Sequence, residues 1–147
     1  MRTAIVRAGA AFALIMASQP VLAEEIGQIK NVTQGGVEVQ RGDKSLRGVS
    51  GFRVMEGDVV VTGARQRVGI TFLDDTRMAV APGSRVVISR YRYDRARETG
   101  SSLMQVDRGA VGVDSGKLSG SGRMRFKTPT STLGVRGTSF VIEVDAE

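Results

Sequence analysis

The chain has 147 residues, with 21 basic against 15 acidic, a formal net charge of +6, and neither histidine nor cysteine. That composition excludes Ser-His-Asp and Cys-His nucleophiles, His- or Cys-based zinc sites and disulfides. No Walker loop or Gly-rich dinucleotide fingerprint is present, and no motif sets a serine beside Lys30, Lys44, Lys117 or Lys127, so the chain reads as a non-enzyme with no catalytic, cofactor-binding or metal-binding residues.

Residues 1–23 read as a cleavable secretory signal. Arg2 and Arg7 make a basic start, Ala8 to Ala17 is a short apolar run, and Val21-Leu22-Ala23 offers the small residues a signal peptidase reads. The apolar run is too short for a spanning helix. Arg2 and Arg7 are not adjacent, against a twin-arginine route, and the lack of cysteine excludes an acyl anchor. The mature chain, 24–147, would hold about 124 residues, enough for one domain. Losing Arg2 and Arg7 takes the net charge from +6 to +4, which suits an acidic protein surface, lipid headgroup or glycan better than nucleic acid. The expected location is the periplasm, with secreted or surface-associated forms as variants.

From Gly27 onward, short alternating runs are punctuated by glycine. Ile29 to Thr33 and Val37 to Gln40 read as strands around a Gln34-Gly35-Gly36 turn. Arg41-Gly42-Asp43-Lys44 is a second turn, and its Arg-Gly-Asp triplet is too short to signal adhesion. Ser45 to Met55 reads as a loop or short strand. Asp58 is placed to close an Asx turn one or two residues on. Val59 to Thr62 is a compact strand, and Gly63 to Arg67 a polar turn. Val68, Ile70 and Phe72 alternate with Gly69, Thr71 and Leu73, giving one core face. Asp74 and Asp75 make a tight hairpin; adjacent carboxylates point apart and suit a turn rather than catalysis. No D-x-D-x-D-G calcium spacing is present. Met78 and Val80 continue inward, and Ala81 to Ser84 closes that hairpin.

Val86, Ile88, Tyr91 and Tyr93 form the next strand. Its end, Ser89 to Thr99, is the most basic segment. Strand alternation places Tyr91 and Tyr93 on the packed face and Arg90 and Arg92 in water, and these residues form a candidate partner-binding arm. Gly100 to Ser102 ends the arm. Leu103 to Val106 and Ala110 to Val113 read as two strands joined at an Arg108-Gly109 turn. Asp114 to Arg123, with three Ser-Gly pairs, reads as flexible. Met124 and Phe126 re-enter the sheet. Pro129 biases Thr128 to an extended conformation. Gly134 and Gly137 bracket Val135 and Arg136, where the backbone is expected to turn or lie close to another strand. Arg136 suits either a structural carboxylate pair or a partner contact. Phe140, Ile142 and Val144 make a last strand with one buried face. About ten short strands predict an all-β domain, a jelly-roll-like sandwich or β-roll.

Thr128-Pro129 followed by Gly134-Val135-Arg136-Gly137-Thr138-x-Phe140 resembles the closing signature of the FecR domain family. Gly57-Asp58-Val59-Val60-Val61-Thr62-Gly63 resembles that family's GD-x-(hydrophobic)-x-TG element. Phe72-Leu73-Asp74-Asp75-Thr76-Arg77-Met78 resembles its (hydrophobic)-DGT element, with Asp75 where the family usually has glycine. Val106 to Val111 resembles its L-x-x-G-x-(hydrophobic) element. These four stretches fall within Val37 to Val144, in the family's order. The resemblance implies a periplasmic regulatory domain. FecR-type proteins regulate iron-uptake genes in Gram-negative bacteria, sensing a loaded outer-membrane transporter and acting on a sigma factor through a cytoplasmic segment. This chain resembles the periplasmic part alone and is expected to lack that segment. The expectation is therefore a free-standing, exported domain that binds an unidentified envelope protein or anionic glycan, with no stable membrane span. An envelope scaffold held by glycan or an anionic surface is the alternative. The motif residues Asp58, Thr62, Gly63, Asp74, Asp75, Thr76, Thr128, Pro129, Gly134, Val135, Arg136, Gly137, Thr138 and Phe140 are expected to serve the fold, with Arg136 also kept as a candidate partner contact. The oligomeric state is open.

Overall fold

The computed structural model describes residues 23–137 and 139–145. The expected signal peptide therefore lies outside the described residues, apart from Ala23. The all-β class is what forms. Twelve strands are present among the described residues: β1 (Glu25–Val32), β2 (Val37–Arg41), β3 (Lys44–Gly48), β4 (Arg53–Met55), β5 (Val59–Val61), β6 (Val68–Phe72), β7 (Arg77–Val80), β8 (Arg85–Asp94), β9 (Thr99–Asp114), β10 (Met124–Lys127), β11 (Thr132–Val135) and β12 (Ser139–Val144). One 3-10 turn covers Lys117–Ser121.

The strands make one curled sheet with β9 at its centre. Toward its start, β9 pairs antiparallel with β8 and parallel with β10. Beyond Gly109 the same strand pairs antiparallel with β7 and β12. One half of the sheet thus runs β3-β2-β5-β8-β9-β10-β11 and the other β4-β1-β6-β7-β9-β12. Sixteen residues of continuous strand replace the two short strands expected here. Arg108-Gly109 does not reverse the chain. Gly109 takes φ +86°, and with a register shift between Arg85 and Val86 it lets β9 change partners without breaking. Positive φ is available to glycine at little steric cost, so a bend is as readable from it as a turn.

Period-two patterning explains the burial. β6 alternates buried Val68, Ile70 and Phe72 with half-buried Gly69 and Thr71. β12 buries Ile142 and half-buries Phe140 and Val144, while Val141 and Glu143 face out, as the alternation predicts. The two halves meet in one apolar cluster. Phe72 of β6 stacks on Tyr91 of β8 at 5.5 Å, and Phe126 of β10 meets Phe140 of β12 edge-on at 5.3 Å. Fully burying each Val or Ile contributes about 1.5–3 kcal/mol, so this cluster is the main favourable term.

Ser45 to Met55 is more regular than expected. It holds β3 and β4, with β3 pairing β2 and β4 pairing β1. The Ser-Gly tract also departs from expectation. Leu118 is fully buried and Ser119 is 2% exposed, because the 3-10 turn packs back on the hairpin after β6. Local composition reported the tract's small residues but not the long-range acceptors that hold it.

Candidate functional site

The motif stretches converge on polar ties inside the fold. Asp58 is fully buried. Its carboxylate accepts two hydrogen bonds from the Arg41 guanidinium, at 2.8 Å each, and one from the Met55 N–H at 2.9 Å. The expected forward Asx turn is therefore replaced by a backward one. The bond to Asp58 holds the Arg41 guanidinium above its ordinary pKa. Arg41 also lies over Phe52, 5.3 Å from the ring centroid, so the arginine of the Arg-Gly-Asp triplet is engaged within the protein.

Thr62 links three segments. Its hydroxyl donates to the Ala81 carbonyl at 2.6 Å and accepts the Ser84 N–H at 2.9 Å. Gly63 N–H donates to the Gln66 side chain, which reaches on to the Gly36 carbonyl, both at 2.8 Å.

Asp74 and Asp75 part company, as neighbours in a turn do. Asp75 sits at φ +68° on the surface, within 3.6 Å of the Lys117 ammonium. Aspartate tolerates that conformation better than most residues. Asp74 is fully buried. It accepts from the Tyr91 hydroxyl at 2.8 Å, the Thr76 hydroxyl at 2.7 Å and the Leu118 N–H at 3.1 Å. The Asp74 N–H donates to the Tyr91 oxygen at 3.0 Å, and the Asp74 carbonyl accepts the Lys117 N–H at 2.8 Å. One residue thus ties the β6–β7 hairpin to β8 and to the 3-10 turn.

Burial first, and the Asp74 charge second, push the Tyr91 hydroxyl far above the ordinary tyrosine pKa. Below about pH 10, where free tyrosine stays protonated, the full contribution of this pair is present. Above that, the unfolded chain ionises while the folded one keeps its proton. Stability should therefore fall by about 1.4 kcal/mol per pH unit from this group alone. Urea unfolding of wild type and Tyr91→Phe between about pH 9 and 11 isolates it. The wild type should lose stability more steeply, and parallel curves would refute the assignment.

The candidate partner-binding arm divides by face. A register shift between Ile88 and Arg90 places Tyr91 inward, three residues after buried Ile88. Tyr91 is 3% exposed and Tyr93 half-buried, while Arg90 and Arg92 are exposed. Arg92 pairs with Glu56. Arg90 has no ion pair among the described residues, and neither has Arg136.

The C-terminal motif forms a hairpin and a strand. Thr128 and Ser131 close the β10–β11 turn around Pro129: the Thr128 N–H donates to the Ser131 carbonyl at 2.8 Å, and the Ser131 N–H to the Thr128 hydroxyl at 3.1 Å. Gly134 is an ordinary strand residue opposite Arg125, with open space where a side chain would stand, so it provides neither turn nor close approach. Gly137 does turn, at φ +48°. Val135 is buried and Arg136 exposed beside Gly122. Thr138 lies outside the described residues. The sequence places Arg90 and Arg136 together as candidates, but they line separate hollows.

Sequence reasoning missed a second basic run. Arg123, Arg125 and Lys127 alternate with Met124 and Phe126, which are buried. Alternation was the available signal, since it sends the three cations to one outward face. A hollow of about 520 Å³ lies on the other half of the sheet, floored by Gly69, Ala79 and Gly112. At its end Arg77 pairs with Asp114. The Ser139 hydroxyl and Arg77 hold the Asp114 carboxyl below its usual range. No group of three or more potential metal ligands occurs among the described residues, and no helix among them is long and apolar enough to cross a membrane.

The model of one protein family, described as FecR protein, matches residues 58–147. No curated protein and no solved structure matches.

Proposed function

The chain belongs to the FecR protein family, a family that acts in the regulation of signalling, and on that premise we propose that it is an exported, non-catalytic recognition domain that binds a protein of the cell envelope. The observation that carries this reading is where the motif chemistry goes. Asp58, Thr62, Asp74 and Thr76 are at most 3% exposed, and each is hydrogen-bonded within the fold. They hold turns and sheet halves together and offer no reactive group to a substrate. What the scaffold offers outward is a surface, on which Arg90, Arg123, Arg125, Lys127 and Arg136 have no ion pair among the described residues. Such a surface serves recognition and steering rather than bond-making. Residues 1–23 direct the chain to the periplasm, and the mature domain begins near Glu24.

Crosslinking in living cells of the native host tests this, with a tag on the C-terminus and with Arg90→Glu and Arg136→Ala variants alongside. The expected capture is one dominant protein, reduced in at least one variant. Recovery of nothing but abundant envelope material, removed by raised salt, would overturn the proposal in favour of an envelope scaffold. Retention of Met1 on the purified native protein would refute export by cleavage.

A further inference from the structure

The surface hollow between β8 and β11 gathers four cationic side chains. It encloses about 510 Å³. Arg90 stands on one side, Arg123, Arg125 and Lys127 on the other, and Leu103 and Thr132 complete the lining. No carboxylate lines it. Two acids close by in the fold are already committed, Glu56 to Arg92 and Asp107 to Arg85, while Arg123 also borders a second hollow that holds Glu24 and Asp94. None of the four lining cations has an ion pair or side-chain hydrogen bond among the described residues, whereas Arg41, Arg53, Arg77, Arg85 and Arg92 all do.

Strand register fixes how these cations are spaced. Arg90, Leu103 and Arg125 stand in one row across β8, β9 and β10. Adjacent strands are about 4.8 Å apart, so Arg90 and Arg125 flank a channel roughly 10 Å across. From Arg123, just before β10, through Arg125 and Lys127 on it, a cation recurs at every second residue, roughly 6.7 Å apart in extended chain. Gly134 continues the row past Arg125 with no side chain, leaving the channel open toward the edge strand β11.

We propose that this channel binds an extended acidic polypeptide segment of the partner, with its carboxylates at alternate positions. This deepens the recognition reading given above and rests on it. An extended peptide carries alternate side chains at the same spacing as β10, so its carboxylates fall in step with Arg123, Arg125 and Lys127. Three of the four lining cations are arginine, whose planar fork makes paired bonds to carboxylates. The other polyanions fit less well. Sugar rings and nucleic-acid bases are held on aromatic faces, and no aromatic residue lines the channel. A lipid surface needs apolar anchors beside the charge, and the exposed large hydrophobics, Val49, Leu133 and Val141, are not among the lining residues.

The test uses the intact protein and a fluorescent peptide of alternating glutamate and threonine, followed by fluorescence anisotropy at low and moderate salt. Competitors are oligogalacturonate, phosphatidylglycerol vesicles and a peptide of the same composition with its glutamates in one block. The alternating peptide should bind saturably and outcompete all three. The Arg125→Glu/Lys127→Glu variant should bind it at least tenfold more weakly with an unchanged melting temperature, since both side chains are exposed. A variant that binds as well as wild type, no saturable binding by wild type, or stronger competition by glycan or vesicles would each overturn the channel assignment. The cellular crosslink separates the two proposals. If one protein is still captured by the Arg125→Glu/Lys127→Glu variant, recognition stands and the channel does not. If no protein is captured even by wild type, the recognition reading itself falls.

Discussion

Asp74→Ala should destabilise the protein by about 4 kcal/mol, among the largest losses available from a single polar side chain here. The reason is the number of groups it would orphan. The Tyr91 hydroxyl, the Thr76 hydroxyl and the Leu118 N–H all donate to this carboxylate at 3.1 Å or less. Alanine satisfies none of them and leaves a small cavity in a site that is fully buried. Each buried donor left unmade costs roughly 1–3 kcal/mol. Asp74→Asn keeps the volume and one accepting oxygen, and should cost about half as much, because its amide group cannot accept from Thr76 or Leu118. In urea, at a slope of about 2 kcal/mol per molar, the alanine variant should move the midpoint by roughly 2 M. Asp75 is the built-in control one residue away. It is exposed and sits at φ +68°, so Asp75→Gly should be neutral or stabilising by up to about 1 kcal/mol. Equal losses at the two positions would refute this account of the hairpin.

That contrast shows which parts of the molecule were legible in the chain. Strands such as β6 and β12 could be read directly, because a half-buried strand writes its two faces at period two. The turn at Asp74-Asp75 could be read for the same local reason. The division of labour between the two aspartates could not. It depends on Tyr91, 17 residues away, and on Leu118, 44 residues away, and nothing local announces a partner at that distance. The Arg41–Asp58 pair was hidden in the same way, since Arg41 reads as part of a turn. The long-range bonds also explain why the Ser-Gly tract is structured: its own residues favour freedom, but the Asp74 carbonyl and carboxylate hold its backbone. The basic channel failed to show for a different reason. The arm at Ser89 to Thr99 has the higher density of arginine and stands out in the chain, whereas Arg123, Arg125 and Lys127 become one site with Arg90 only when β10 lies parallel beside β9.

The second large effect is expected at Gly109, and β9 supplies its own comparison. Gly109→Ala should cost about 3 kcal/mol, while Gly112→Ala, three residues later in the same strand, should be neutral or stabilising by up to about 1 kcal/mol. An added Cβ at Gly109 would lie 2.1 Å from the Ser84 hydroxyl oxygen and 2.6 Å from the Ser84 Cα, at φ +86°. The hydroxyl could rotate, but the backbone atom could move only with its strand. Ser84 is fully buried, its N–H and carbonyl are both bonded to Thr62, and its hydroxyl accepts from the Ala110 N–H at 3.0 Å. Relieving the clash therefore displaces β5, β8 and β9 together. At Gly112 a Cβ meets nothing within 4 Å, and φ is not positive, so only the lost freedom of the unfolded chain counts. Ser84→Gly should not rescue Gly109→Ala, since the clash with the backbone of residue 84 remains. Full rescue in thermal unfolding would place the strain in the serine side chain instead. The outcome bears on recognition as well. The basic channel lies on the stretch of β9 before Gly109 and the closing motif strand β12 on the stretch after it. A Gly109→Ala protein held below its melting temperature should therefore still bind the acidic peptide. Loss of binding there would mean that the bend sets the geometry of the channel as well as joining the two halves of the sheet.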